Sequence, residues 1–235
     1  MIKHIPFESL HVSSQGWLES RFHFSFAEYH NPQNMNFGVL RVMNDDVIAP
    51  HMGFGTHPHR DMEIFTYVLE GELTHEDSMG NKETLQAGDI QYLSAGTGIY
   101  HSEKNEGDTP VRLIQTWIVP HTKGLTPRYG SYKRDKALRH NQWQHLFGAD
   151  NSGAVIGLYQ DANVYAIEQD KDAKSEFSLV NGRQAYLKVM EGSIILNGVS
   201  LAFGDSAEIT HESLLSISAS NDAQLLLIEM ASIHN

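Results

Sequence analysis

Residues 56–63 read Thr-His-Pro-His-Arg-Asp-Met-Glu and lead directly into an apolar, β-branched and aromatic run at residues 64–69. Alternate side chains of a strand lie on one face, so His57 and His59 point the same way, and Glu63 joins them unless a bulge intervenes. Two imidazoles on one face can both reach a single metal ion at about 2.1 Å. The stretch therefore predicts a metal-binding strand in a β-sheet.

A second stretch supplies further candidate ligands. Residues 94–103 read Ser-Ala-Gly-Thr-Gly-Ile-Tyr-His-Ser-Glu, so His101 and Glu103 repeat the alternation behind a glycine-rich approach. Three imidazoles and a carboxylate suit Fe(II), Ni, Cu, Co, Mn or Zn, and do not favour Ca or Mg. Glu63 is left open: it is either a ligand or a group that holds an imidazole N–H, and we favour the second interpretation. Four other histidines lack partners at ligand spacing and are interpreted as surface or core residues: His51, His75, His121 and His211.

The rest of the chain consists mostly of short strand-like segments separated by Gly, Asn and Asp turns, a pattern typical of a sandwich or barrel. Residues 135–147 are the best helix candidate. The stretch at residues 121–140 is basic, and we interpret it as a solvated connection between two β modules, with a nucleic-acid patch as the less favoured alternative.

A weak internal repeat supports two modules. Glu70-Gly71 followed by Gly88-Asp89 in the first half corresponds to Glu191-Gly192 followed by Gly204-Asp205 in the second half. Each copy predicts a strand, a turn, a hairpin and a second turn, as expected of a duplicated barrel.

Composition narrows the function classes. The 235 residues include 17 Lys and Arg against 29 Asp and Glu, a formal net charge of −12, which argues against nucleic-acid and membrane-surface binding. The absence of cysteine excludes disulfides, thiolate metal sites, Fe–S clusters and cysteine nucleophiles. We see no signal peptide and no apolar run of membrane-spanning length, so we expect a cytoplasmic protein.

The paired motifs resemble the two signature motifs of the cupins. The first comprises His57, His59, Glu63 and Gly71; the second comprises Gly88, Ser94 in the place of a proline, Gly96, His101 and Asn105. Within the cupins the chain resembles the pirin family, and in particular the bacterial pirin-like quercetinases. The supporting strings lie at residues 16–26, 57–60, 61–63, 77–80 and 94–103.

The resemblance implies an all-β chain of two cupin barrels, each a double-stranded β-helix or jelly roll, with few short helices. We expect residues 1–133 to form a metal-binding N-terminal barrel and residues 134–235 to form a cupin-like barrel without a metal site. One divalent transition metal ion per chain is implied, with Fe(II) favoured and Ni, Cu, Co, Mn or Zn as alternatives. The family's ligands carry over onto four residues of this chain: His57, His59, His101 and Glu103.

The resemblance further implies a metal-dependent dioxygenase similar to quercetin 2,3-dioxygenase. Such an enzyme opens the ring of a flavonol with O₂ and releases a depside and carbon monoxide. Glu103 is the candidate catalytic group that accepts the proton of the flavonol 3-hydroxyl, and we expect Phe26, Met52 and Phe54 around the mouth of the site. The alternative is a metal-binding redox sensor that acts by binding a transcription factor or an enzyme. We expect a monomer whose partners are a flavonol-like substrate and O₂, with no nucleic acid or membrane partner and with a regulatory protein as a further candidate.

Overall fold

The computed structural model describes residues 1–232 and is nearly all β, with 57% of residues in strands and 3% in helices. The fold class predicted from the sequence is confirmed. Among the described residues, no helix is long and apolar enough to cross a membrane. The strands, in chain order, are β1 (Ile2–Ile5), β2 (His11–Ser14), β3 (Leu18–Phe22), β4 (Leu40–Ile48), β5 (Gly53–His59), β6 (Glu63–Glu70), β7 (Glu72–Asp77), β8 (Lys82–Gln86), β9 (Ile90–Ser94), β10 (Ile99–Lys104), β11 (Val111–Ile118), β12 (Arg128–Tyr132), β13 (Gln144–Ala149), β14 (Ile156–Leu158), β15 (Ala162–Gln169), β16 (Lys174–Ser178), β17 (Arg183–Glu191), β18 (Ile194–Leu196), β19 (Val199–Leu201), β20 (Ser206–Ile209), β21 (Leu214–Ala219) and β22 (Ala223–Ala231).

The chain forms two compact units. The N-terminal barrel, His11–Arg134, contains a seven-stranded sheet in the order β12-β9-β6-β11-β4-β3-β2 and a four-stranded sheet in the order β5-β10-β7-β8. The C-terminal barrel comprises Met1–Leu10 and the chain from Asp135 onward. Its sheets have the orders β1-β20-β17-β22-β15-β13-β14 and β16-β21-β18-β19.

This division differs from the one predicted at residues 133 and 134. The first ten residues belong to the C-terminal barrel because β1 pairs antiparallel with β20, from Ile2 opposite Ile209 to Ile5 opposite Ser206. Sequence patterning cannot reveal this pairing, because its two strands lie at opposite ends of the chain. Residues 233–235 of the predicted second barrel lie outside the described residues.

The internal repeat has a structural counterpart in both barrels. Strands β6 to β9 and β17 to β20 have the same pairing pattern, in which the first strand pairs with the fourth and the second with the third. Gly71 and Gly192 each have a positive φ, and a Cβ on either glycine would meet the backbone of another segment. The second turn is also shared, because the carboxylates of Asp89 and Asp205 each accept a hydrogen bond from the backbone three residues earlier, at 2.8 and 2.9 Å.

The predicted helix at residues 135–147 is mostly wrong. Only Lys136–Arg139 is helical, with the Asp135 side chain capping its N-terminus, and Gln144–Ala149 forms β13 instead. Pairing with β15 outweighs the weak helical pattern in this segment, because tertiary context overrides local propensity.

Alternation places apolar and polar side chains on the inner face of the N-terminal barrel. On β6, Ile64 and Val68 pack into apolar clusters, whereas Thr66 between them is fully buried and polar. The inner faces of β4, β9 and β11 likewise combine apolar residues with Asn44, Gln91 and Gln115, which lie opposite one another or opposite Thr66 across the sheet. A polar row therefore crosses an otherwise apolar interior, and it faces the strands that carry the candidate ligands.

Candidate metal centre

Three imidazoles from two paired strands surround a common point. His57 and His59 lie on β5, and His101 lies on β10 directly opposite His57. The ring centroids are 4.8 Å apart for His57 and His59, 4.5 Å for His57 and His101, and 4.8 Å for His59 and His101. One nitrogen from each ring lies within 4.8 Å of the others, so the three side chains form a group that can hold a metal ion.

A bulge in β5 turns this strand toward the interior. His57 pairs with His101, but Phe54 pairs with Glu103, so β5 has one residue more than β10 over this interval. Phe54 and His57 are three positions apart and would lie on opposite faces of a regular strand. The extra residue brings both onto the side of the cavity.

The protonation state of the rings suits metal ligation. Burial is the main cause that lowers the pKa of His59 to about 4 and that of His101 to about 3, and the neighbouring histidines lower both further. The imidazoles of His59 and His101 are therefore neutral near pH 7, as metal binding requires. His57 Nδ1–H donates to the Gly55 carbonyl at 2.8 Å, which directs Nε2 toward the other two rings.

The residues present fit a transition metal. Both ring nitrogens of His101 are buried and have no hydrogen-bond partner within residues 1–232. A buried polar atom without a partner costs about 1–3 kcal/mol, and a coordinate bond to a cation would remove that cost. Neutral imidazoles with a carboxylate also form the donor set that first-row divalent ions prefer.

Glu103 lies beside this group and is held by donors from three strands of the facing sheet. Gln115 Nε2 donates to Glu103 Oε2 at 2.7 Å, while Gln91 Nε2 and Thr66 Oγ1 donate to Oε1, the latter at 3.3 Å. Gln115 Oε1 in turn accepts from Trp117 Nε1 at 3.3 Å, which fixes the orientation of the amide. The carboxylate is thereby 2% exposed and fixed in orientation.

His75 is part of the same region, although the sequence analysis treated it as an isolated histidine. It lies opposite Glu103 in the β7–β10 pairing, and the metal-capable atoms of His75, His101 and Glu103 form a second group within 4.8 Å. Its Nε2–H donates to Asp77 Oδ2 at 3.2 Å, and its ring stacks on Tyr129 with centroids 4.4 Å apart. The spacing rule missed His75 because its position depends on strand pairing, not on neighbours in sequence.

Glu63 does not share a face with the histidines; the shared face was expected only for an uninterrupted strand, and this strand is interrupted. Strand β5 ends at His59 and a turn precedes β6, so alternation does not continue from His59 to Glu63. Glu63 and Thr66 are three positions apart on β6, and because Thr66 faces Glu103, Glu63 faces the other way. Its Oε1 accepts from the Tyr92 hydroxyl at 2.5 Å, and it belongs to neither group of potential ligands.

A cavity of about 240 Å³ in the N-terminal barrel opens beside these groups. Two of the three residues expected around its mouth, Phe26 and Phe54, line the cavity, whereas Met52 is 42% exposed and is absent from the lining. Phe22 and Trp117 complete the aromatic wall, and the Trp117 ring meets the His59 ring edge to face at 4.9 Å. A larger depression, of about 590 Å³ beside His140, is lined by the C-terminal barrel and shares none of these groups.

One buried acid of the cavity wall has an unusual ionisation. The pKa of Asp46 is raised to about 7, mainly by burial; the hydrogen bond from Ser20 lowers it, and the charges of Asp45 and Glu103 raise it. Both protonation states of Asp46 are therefore populated near neutrality. Its sequence signal is the polar triplet at residues 44–46 inside a mostly apolar strand, which the sequence analysis did not use.

Comparison with known proteins agrees with this geometry. A family model described as Pirin matches residues 7–118, and one described as Quercetinase C-terminal cupin domain matches residues 146–230. A putative quercetin 2,3-dioxygenase of Pseudomonas aeruginosa is 44% identical over 232 residues, which cover 98% of this chain and 100% of that protein. The chain belongs to the pirin family.

Other pirin relatives extend the agreement. Quercetin 2,3-dioxygenase of Escherichia coli K12 is 43% identical over 219 residues, covering 93% of this chain and 94% of that protein. The crystal structure of the bacterial pirin YhhW from Escherichia coli in complex with nickel(II) superposes with a TM-score of 0.93 at 40% identity. It covers 99% of this chain and 100% of that one.

In this pirin, both groups of potential metal ligands found among residues 1–232 lie in the N-terminal barrel. Ile217 of the C-terminal barrel, on the strand that corresponds to β10, packs into an apolar cluster with Leu196 and Leu215. Apolar side chains thus fill the part of the C-terminal barrel that carries histidines in the N-terminal one.

Proposed function

We propose that this pirin is a metal-dependent dioxygenase that opens the ring of a flavonol such as quercetin with O₂ and releases a depside and carbon monoxide. The observation that carries the proposal is a group of three imidazoles beside a fixed carboxylate, at the side of an aromatic cavity. The names of the Pseudomonas aeruginosa and Escherichia coli relatives support the same activity.

We further propose that one divalent ion is held by His57, His59, His101 and Glu103. When bound, a first-row divalent ion supplies Lewis acidity toward the flavonol oxygens and redox capacity toward O₂. The resemblance favours Glu103 over His75 as the fourth ligand. Nickel(II) is present in the crystal structure of Escherichia coli YhhW, so it belongs in the test beside Fe(II).

The side chains of this chain then have separable tasks. Glu103 accepts the proton of the flavonol 3-hydroxyl at a carboxylate oxygen, and the amides of Gln91 and Gln115 hold that carboxylate in place during the transfer. The aromatic wall of Phe22, Phe54 and Trp117 packs against the planar rings and excludes water. The overall reaction balances, because both oxygen atoms of O₂ enter the depside and one ring carbon leaves with its oxygen as carbon monoxide.

The test follows quercetin absorbance and O₂ consumption together, using protein reconstituted separately with Fe(II), Ni, Co, Cu and Mn. We expect matched loss of quercetin and O₂ with at least one ion. His101→Ala should lose bound metal and turnover while circular dichroism shows an intact fold. His121→Ala is the matched control, because His121 is exposed and outside both groups of potential ligands.

Two results would contradict separate parts of this proposal. Full metal content in His101→Ala would remove His101 from the ligand set. If each wild-type chain binds one ion but no metal supports turnover, the dioxygenase proposal is rejected. The alternative, a metal-binding regulatory protein, is then favoured. Unchanged turnover in Glu103→Gln would reject the proton-accepting role of Glu103.

A further inference from the structure

Two buried acceptor oxygens face the cavity from β4. Asn44 and Asp46 are two positions apart, so their side chains share the inner face of the strand, and both line the cavity. They are 3% and 2% exposed, so almost all contact with bulk water is lost.

These acceptors are not satisfied by the protein. Asn44 Oδ1 and Asp46 Oδ1 have no hydrogen-bond partner in the part of the chain that the structure describes. The Ser20 hydroxyl forms a hydrogen bond with the Asp46 carboxyl, but Oδ1 of Asn44 and Oδ1 of Asp46 still have no donor. A donor for these two oxygens would come from a group bound in the cavity. A buried acceptor without a donor is unfavourable, so these positions favour a bound group that donates a hydrogen bond.

Strand pairing places Asn44 and Asp46 next to the strand whose Gln115 holds Glu103. Asn44 lies directly opposite Gln115, whose amide holds Glu103, and Asp46 lies opposite Leu113 in the next row. Adjacent strands are about 5 Å apart, a distance that one fused aromatic ring covers. A planar ligand whose oxygens reach the Glu103 end thus extends along the aromatic wall toward Asn44 and Asp46.

We propose that Asn44 and Asp46 determine specificity by accepting hydrogen bonds from a ring hydroxyl of the substrate other than the 3-hydroxyl that Glu103 deprotonates. This inference rests on the proposed flavonol dioxygenase function and deepens it. It defines the substrate class as polyhydroxylated planar aromatics, because a flavonol without hydroxyls on its other rings leaves both oxygens without a donor. Neither residue takes part in ligation or in proton transfer from the 3-hydroxyl.

The test compares quercetin with 3-hydroxyflavone, which keeps the 3-hydroxyl and 4-carbonyl but lacks the remaining hydroxyls. Dissociation constants are measured without O₂ on nickel-loaded protein, from the absorbance change of the flavonol. We expect the wild-type protein to bind quercetin about tenfold to a hundredfold more tightly than 3-hydroxyflavone, the range expected for hydrogen bonds to a buried amide and carboxylate. In Asn44→Leu and in Asp46→Leu, measured independently, this ratio should fall toward one while 3-hydroxyflavone binding changes less than about twofold.

Thr116→Val is the matched control. The Thr116 hydroxyl is likewise buried without a hydrogen-bond partner among residues 1–232, but it lies on the other face of β11 from Gln115 and outside the cavity lining. This variant should keep the wild-type ratio.

Each other outcome is decisive. Equal affinity of the wild-type protein for the two flavonols, or an unchanged ratio in both leucine variants, overturns the inference and leaves the dioxygenase proposal standing. Failure of both flavonols to bind wild-type protein that carries one ion per chain overturns the dioxygenase proposal together with the inference.

Discussion

At the scale of single residues, Asp46 makes the stability of the fold depend on pH. Its folded pKa of about 7 lies above the value of about 3.9 for an unfolded aspartate, so between these values the folded chain keeps a proton that the unfolded chain releases. The contribution of protonated Asp46 to the free energy of unfolding is fully present below about pH 4 and is lost as the pH rises through about 7.

Asp46→Asn should remove this dependence in metal-free protein. We expect its free energy of unfolding to exceed that of the wild type by a gap that widens by about 1.4 kcal/mol per pH unit up to about pH 7 and is constant above. Urea unfolding over a series from pH 5 to pH 8.5 measures the gap. A gap that does not change with pH would contradict the assignment.

Asp45→Asn is the control for that series. Asp45 is the neighbouring acid on β4, but Arg112 Nε and Nη2 both donate to it at 2.9 Å. Removing its charge leaves a buried guanidinium without its counterion, so this variant should be less stable than the wild type across the same pH range.

The candidate ligands were predictable from the sequence because the rule that places them is local. His57 and His59, like His101 and Glu103, are two positions apart in a strand, and alternation alone puts each pair on one face. His75 and the amides that orient Glu103 were missed because strand pairing brings them there from distant segments. Glu63 lies on another face because the strand ends before it, which is the kind of interruption that the sequence analysis excepted.

At the scale of elements, the contact between β5 and β10 depends on one glycine. Gly53 has a φ of 157°, and a Cβ there would meet the backbone carbonyl of Glu103 and the Cα of Lys104, the latter at 2.6 Å. Since both contacts are backbone atoms, neither can yield without separating the two strands that carry the histidines.

Gly53→Ala should therefore lower the free energy of unfolding by about 1–3 kcal/mol, through overpacking and backbone strain. Gly55→Ala, two positions along the same strand, should change it by less than about 0.5 kcal/mol, because nothing lies within 4 Å of its Cβ position. Thermal unfolding of the two variants gives the comparison. Equal stability would show that the strands can separate at no cost.

Strand existence was easier to predict than strand boundaries. The apolar run at residues 64–69 corresponds to Glu63–Glu70. Residues 21–26 read Arg-Phe-His-Phe-Ser-Phe, an alternation typical of a strand, but this pattern continues past the end of Leu18–Phe22. Short elements such as Ile156–Leu158 have too few residues to show any period. These boundaries depend on which partner strand is available, and the pattern within a segment does not contain that information.

At the scale of the whole molecule, the C-terminal barrel needs the first residues of the chain. Besides pairing with β20, this segment satisfies Asp205, which accepts from His4 Nε2 at 2.8 Å and from the backbone N–H of Phe7 at 2.9 Å. The Phe7 ring also lies against Gly204, where any Cβ would collide with it.

Deleting residues 1–6 should lower the thermal stability of the C-terminal barrel and leave the metal content unchanged, since the candidate ligands all lie within residues 11–134. Differential scanning calorimetry and elemental analysis measure the two quantities. Lys3→Ala is the control, because it removes only an exposed ion pair with Glu208 and should cost at most about 1 kcal/mol. Unchanged calorimetric unfolding of the deleted protein would refute this dependence.

The pairing of β1 with β20 also determines when the C-terminal barrel can complete its folding during synthesis. About 200 residues separate the two strands, and a ribosome adding roughly 5–20 residues per second needs about 10–40 s to make them. During that interval β1 has no partner strand, while the N-terminal barrel becomes complete in sequence. Pairing of β1 with β20 is therefore among the last steps of folding, and any factor that binds β1 early delays the C-terminal barrel alone.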